Sequence, residues 1–279
     1  MQGVARQQML EGLRTRISAI EKRPALADAV LLHGNEKGAQ PGEAQRLLAT
    51  APGQLHEIFA DERRDAGAAL GFTLGQARGF LSAERPALLF VQLMHEAQDG
   101  GLPYGAGLKS FGIDPDTLIL GRMQTMVELL WAMEEAIACR VVAAVIADIG
   151  GHPKALDFTA SRRLSLRAAS AGTSVFVMRY GRERQASAAQ LRWQVNPVLS
   201  GAVAFDAHAP GRPRWRLMLE KGRLRRGAVK AGAGWILDWT ENGFELAEPH
   251  RKPARRAFTG TPVSGAQPAA LGHRLSQTG

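Results

Sequence analysis

The sequence predicts an α/β protein: a mainly parallel sheet flanked by helices, with an N-terminal helix, C-terminal antiparallel strands and a disordered tail. Three observations predict it. Between residues 55 and 178 short apolar runs alternate with stretches of helical spacing, and alternating strands and helices build parallel sheets with right-handed crossovers. VVAAVIAD (141–148) is apolar without alternation, as in a strand covered on both faces. After residue 186 the period changes to two, with Gly-rich turns between the runs, which reads as antiparallel pairing.

The elements follow in order. Residues 5–22 form an amphipathic helix whose stripe is Leu10, Leu13, Ile17 and Ile20, spaced 3, 4 and 3; such a stripe wants a hydrophobic groove and marks a candidate partner-binding surface. A polar, Gly/Pro-containing link covers 33–54. The apolar stretch from Leu55 that ends in Ile58-Phe59 is a short strand, joined through Ala60 to Gly67 to a helix over 66–82, and the β-rich run ALLFVQL (87–93) follows. A short helix near 105–111, a strand at 117–121 and a helix over 123–139 come next, with Met126, Trp131 and Met133 as core residues. The strand at 141–148, a helix over 153–171 and a strand at 173–178 complete the alternating series. Strands at 190–195, 214–220 and 235–240 close the fold, and from 247 the chain is rich in Pro, Gly, Ala, Ser and Arg, a composition that cannot bury a core. The division is therefore an N-terminal helical segment (1–32), a linker (33–54), a core domain (55–246) and a disordered basic tail (247–279).

Composition narrows the class. With 279 residues and 45% apolar content the chain can bury a full core. No apolar run approaches the roughly 18 residues that span a bilayer, and the first residues lack a signal-peptide apolar segment. Cys139 is the single cysteine, which excludes a disulfide framework or a Cys-based zinc site. A cytoplasmic protein is expected. Net charge is +9, distributed unevenly: residues 1–161 carry 15 Lys/Arg against 19 Asp/Glu, and residues 162–279 carry 20 against 7. The second half should face a polyanion or an acidic protein surface.

The stretch LHEIFADERRDAGAALGFTLGQA (55–77) has the strand and the helix of a phosphate-loop nucleotide site but not the GxxxxGK[ST] join that cradles phosphates. Other chemistry is thinly represented. His33, His56, His95, His152, His208, His250 and His273 are scattered without metal-ligand spacing, and His95, Glu96 and Asp99 read as polar loop residues. Ser161 and Ser165 have no nucleophile-elbow sequence. No cofactor or metal is expected. Arg212 to Lys230 hold eight Lys/Arg and one acid, Glu220. This stretch suits a docking face for an acidic partner or DNA. Arg251, Lys252, Arg255 and Arg256 make a second basic cluster in the tail.

Read with their order, these stretches resemble the RecA recombinase core and, more closely, the ImuA family of damage-inducible mutagenesis proteins. The resemblance covers roughly residues 8–246. IEK (20–22), LHEIFADERRDAGAALGFTLGQA, YGAGLKSFGIDPDTLILGRMQTMVELLWAMEEAI (104–137), VVAAVIADIGG (141–151), RWRLMLEKGR (214–223) and GWILDWTENGF (234–244) carry the RecA likeness. TASRRLSL (159–166) and SAAQLRW (187–193) point to ImuA. The resemblance implies a RecA-like fold with a degenerate nucleotide pocket. Ala66 stands where active relatives have the phosphate-binding Lys, Gly67 where they have the Mg²⁺-holding Ser/Thr, and Asp65 where they have a loop Gly. Asp148 matches the metal-associated Asp of the fourth strand. The water-activating carboxylate falls at Met94, with Glu96 two positions on, and Tyr180 replaces a nucleotide-sensing Gln. Arg63 and Arg64 alone would not rebuild the cradle.

The expectation is a non-catalytic accessory protein of SOS mutagenesis and translesion synthesis. The resemblance implies association with an ImuB-type Y-family polymerase relative, with RecA, and through ImuB with an error-prone replicative-type polymerase. Nucleoid association during DNA damage would accompany that role. Arg179, Arg182, Arg184, Arg192 and Trp193 occupy the place of the recombinase's second DNA-binding loop and are candidate contacts to single-stranded DNA. Two alternatives stay open: a cell-division inhibitor of the SulA type, and a residual ATPase or recombinase.

Overall fold

The computed structural model describes residues 43–201, 209–224 and 229–247. The stripe of Leu10, Leu13, Ile17 and Ile20 lies outside the described residues, as does the basic tail.

Nine strands form one sheet in the order β3-β2-β4-β5-β1-β6-β7-β8-β9. These are β1 (Leu55–Ala60), β2 (Ala87–Leu93), β3 (Leu118–Met123), β4 (Val142–Asp148), β5 (Ser174–Tyr180), β6 (Leu191–Pro197), β7 (Arg214–Lys221), β8 (Gly234–Thr240) and β9 (Gly243–Leu246). The helices are α1 (Glu43–Leu48), α2 (Ala66–Ala77), α3 (Met94–Gly100), α4 (Gly105–Ser110), α5 (Met126–Ile137) and α6 (Phe158–Ala171). The expected α/β class, mainly parallel sheet, flanking helices and antiparallel closing strands are all present. One strand differs: β6, read as antiparallel from its period of two, pairs parallel with β1 and antiparallel only with β7. The antiparallel region therefore begins one strand later. The alternation in β6 reflects a strand buried on one face, and a parallel strand at the margin of the helical cover has that pattern too.

Helix boundaries are set by local chemistry. Thr125 and Glu128 form a reciprocal capping box that starts α5, so this helix begins later than its apolar spacing suggested. Asp157 caps α6 by accepting from the Ala160 amide at 2.7 Å, and Gly172, at φ 69°, ends it in the left-handed conformation.

Two cores lie on opposite faces of the sheet. Under α5 and α6 sit Val91, Leu129, Met133, Val145 and Val177; Met133 is fully buried and Met126 packs at the margin. The other face is aromatic: Phe72 of α2 lies 5.6 Å from Trp193 and 5.5 Å from Phe244, and Trp239 lies 5.0 Å from Phe244. Helix α2 reaches this cluster through Gly75. A Cβ there would stand 2.5 Å from the Phe244 ring and 2.8 Å from Trp239.

The link predicted over 33–54 is not wholly irregular. Residues 43–48 are helical, with Ala44 and Leu48 buried, and Gln45 Oε1 accepts from the Phe244 amide at 3.2 Å. Helix α1 thus covers the β9 edge of the sheet, an edge that would otherwise be open to pairing.

Candidate functional site

Parallel strands carry their C-terminal ends to one edge of the sheet, where α/β proteins place ligands. Here the ends of β1, β4 and β5 and the start of α3 bring together Arg63, Asp148, Tyr180 and Glu96. Asp148 ends the fully buried strand β4. Arg63 lies in a 3-10 turn, Arg63–Asp65, that runs directly into α2. The turn uses its own amides: the Asp65 N–H donates to the Glu62 carbonyl at 3.0 Å, and the Ala66 N–H donates to that of Arg63. A phosphate cradle needs such amides pointing into an open loop. Here the loop is wound shut.

The Arg63 guanidinium forks onto Asp148, with Nη1 donating to Oδ1 at 2.7 Å and Nη2 to Oδ2 at 3.1 Å. The Tyr180 hydroxyl donates to the same Oδ1 at 2.6 Å, and the guanidinium lies 4.4 Å from the Tyr180 ring centroid. Burial opposes the Arg63 charge, yet the hydrogen bond and field of Asp148 hold its pKa above the ordinary value. Burial first, and the Asp148 carboxylate second, push the Tyr180 hydroxyl far up, so it stays a donor. A fixed fork with an aromatic face behind it is the arrangement that arginine, and not lysine, supplies.

Glu96 completes the group. Its Oε1 accepts from the Gly150 amide at 2.7 Å, while its Oε2 is buried with no hydrogen-bond partner among the described residues. Burial raises its pKa, against the lowering effect of the Gly150 amide, and nearby Asp148 raises it further. Met94, at the position matched to the water-activating carboxylate, is exposed. The carboxylate that does face this edge is Glu96. Among the described residues no group of three or more His, Cys, Asp or Glu side chains is placed to hold a metal ion.

Of the predicted pocket residues, Ala66 and Gly67 open α2, and Asp65 precedes it without capping it. A Cβ on Gly67 would meet nothing within 4 Å, so no close approach explains that glycine. Arg64, next to Arg63, pairs with the exposed Glu62 at 2.9 Å and leaves the site.

The predicted DNA-contact group is corrected by the structure. Trp193 is fully buried against Phe72 and cannot stack on a base. Arg179 is 2% exposed and donates to the Gly151 carbonyl at 3.1 Å. Arg192 is held by Glu57 at 2.7 Å, and Arg184 forks onto Glu220 at 2.7 and 2.9 Å. The three guanidiniums surround the Phe59 ring, 4.0 to 5.9 Å from its centroid. Glu57, Glu220 and a ring face hold the Arg192 and Arg184 guanidiniums inward, which leaves little of them to solvent. Of the five residues only Arg182 stays exposed, at 85% of its side chain.

Comparison with known proteins bears on the same chain. It is 33% identical over 150 residues to Protein ImuA of Caulobacter vibrioides (strain NA1000 / CB15N), covering 50% of this chain and 57% of that protein. The Protein ImuA of strain ATCC 19089 / CIP 103742 / CB 15 matches identically, so the alignment spans little more than half the length of these ImuA proteins. No family model matches. Among solved structures a RadB recombinase is similar at 15% identity and a TM-score of 0.45, over 71% of this chain and 92% of that one.

Proposed function

We propose that this ImuA-type chain is a catalytically silent, RecA-like accessory protein of damage-induced mutagenesis, which acts by association with other proteins. The observation that carries the reading is the fork of Arg63 on Asp148. A carboxylate that assists a nucleotide-bound cation must offer its lone pairs to that cation or its waters. Asp148 gives both oxygens to an internal guanidinium and one also to Tyr180. The wound 61–67 join adds no lysine and no hydroxyl, and Asp61, Glu62 and Asp65 would repel a triphosphate. An ImuB-type polymerase relative and RecA are the partners this reading assigns, with the error-prone polymerase reached through ImuB.

Equilibrium binding of ATP with Mg²⁺ tests the silence. The chain, and its Ala66→Lys variant, should show no micromolar binding and no hydrolysis, because the hydroxyl, the loop glycine and the open cradle are missing as well. Turnover by Ala66→Lys alone would end the proposal. One observation favours a second reading, a residual nucleotide site: Glu96 keeps a buried oxygen with no partner among the described residues, near Asp148. That reading requires Arg63 to swing out. Arg63→Ala would then bind ATP and Mg²⁺ more tightly than the parent chain, and silence in that variant removes it.

A further inference from the structure

On the side of the sheet covered by α5 and α6, the helices pack on β1 to β5. Further along, β7 is buried on one face only: Trp215, Leu217 and Leu219 are in the aromatic core while Arg216 and Met218 are exposed. The register sets Arg216 opposite Asn196 and Ile236, and Lys221 opposite Arg192, all on the uncovered face. Beyond β7 an isolated antiparallel bridge sets Arg223 directly opposite Lys230. Their neighbours Leu224 and Val229 pack into the core, so Arg223 and Lys230 both turn to the open side.

Two cations opposed in this way stand about 4.5–5.5 Å apart at Cβ and destabilise the pairing. Arg216, Lys221, Arg223 and Lys230 are all exposed, and none makes an ion pair among the described residues, where Lys221 donates only to the Ser187 carbonyl. The carboxylates nearby are already engaged: Glu220 by Arg184, Asp238 by Arg214, and Asp61 by Gln194, Asn196 and Arg182.

We propose that this open face of β6, β7 and β8 binds the phosphate backbone of a nucleic acid, with Arg216, Lys221, Arg223 and Lys230 as contacts and Arg182 reaching in from the adjoining loop. Phosphates account for it better than an acidic protein does. Outward side chains on one strand repeat about every 6.8 Å, and the face also presents Gln194, Asn196 and the half-buried Ile236. Its largest exposed apolar group is Met218, at 37%. A protein partner would want a central apolar or aromatic anchor, whereas nucleic-acid interfaces are polar and strongly basic. With no exposed aromatic ring among the described residues of this face, the contacts fall on backbone and carry no sequence preference.

The test uses the full chain and a short labelled oligonucleotide of arbitrary sequence, as single strand and as duplex, titrated between about 50 and 200 mM salt. The ratio of the two affinities tells which form supplies the phosphates. Arg223→Gln with Lys230→Gln should flatten the log–log salt dependence by about 1.4 on the single strand or about 1.8 on the duplex. Its melting temperature should stay or rise, because the opposed charges are gone. Arg122→Gln with Arg162→Gln, exposed elsewhere, should leave the slope unchanged. Absence of binding at low salt, or an unchanged slope in the Arg223/Lys230 variant, overturns the proposal. So does polyglutamate displacing the oligonucleotide equally well charge for charge, which would assign the face to an acidic protein.

Discussion

Replacing Arg63 by Met keeps an unbranched apolar stem and removes the charged guanidinium. Asp148, 9% exposed, is then left with a single donor, the Tyr180 hydroxyl. Removing one partner of a buried ion pair costs about 3–5 kcal/mol, because the remaining charge stays desolvated. Arg63 itself is 36% exposed, so solvent already screens part of the pair and water can reach the carboxylate once the guanidinium is gone. That lowers the expected loss to about 2–3 kcal/mol. In a domain of about 150–250 residues each kcal/mol moves the melting temperature by about 2–4 °C, so a fall of roughly 4–12 °C is expected. Asp148→Asn should cost less, since it strands the better-solvated partner. The Arg63→Met/Asp148→Asn double variant should be more stable than the sum of the singles by about 1–2 kcal/mol, measured by calorimetry or denaturant melts. A melting temperature within 2 °C of the parent in Arg63→Met, or an additive cycle, would refute the idea that this fork locks β1 to β4.

Three further outcomes are expected. Gly75→Ala should destabilise by about 1–3 kcal/mol in thermal melts, since its methyl would meet Phe244 and Trp239, more than offsetting the helix propensity gained; Gly67→Ala, with open space around it, should be neutral or stabilising. His56 is fully buried with both ring nitrogens unpartnered among the described residues, and burial lowers its pKa to about 3. Below about pH 6.5 the unfolded chain takes up a proton that the folded chain refuses, so stability falls by about 1.4 kcal/mol per pH unit toward pH 3; His56→Phe should remove that part of the acid slope, and identical pH profiles of parent and variant would dismiss it. Leu13→Asp with Ile17→Asp should abolish capture of RecA at an unchanged melting temperature and keep the complex with an ImuB-type partner, whereas intact capture by the folded variant would show that the N-terminal stripe is not the RecA contact.

How far the site could be read from the chain depends on the range of the interaction involved. The alternation of strand and helix is local and survives in the residues, so β1 to β5 lay close to where their apolar runs put them. Pairing between side chains is not local. Arg63 and Arg64 are adjacent and chemically identical, yet one forks onto a carboxylate 85 positions away and the other onto Glu62, two positions away. Only the assembly of the sheet, which sets the end of β4 across β5 from the end of β1, distinguishes them. Two signals were present all the same. Leu191, Trp193 and Val195 share one face of a strand with a period of two, which places Trp193 in the core and turns Arg192 to the opposite side. Glu96 stands two residues beyond Met94 at the opening of α3, and two helical steps rotate a side chain by about 200°. Strand counting assigns the carboxylate's place to Met94, and the helix that begins there turns the acid inward two residues later. The Arg223–Lys230 opposition has no such signal, because the sequence between the two residues has no apolar alternation to fix a register. Among the described residues Arg63, Arg184, Arg192 and Arg214 pair with carboxylates of the fold, and Arg216, Lys221, Arg223 and Lys230 are the charges that the proposed nucleic acid would meet.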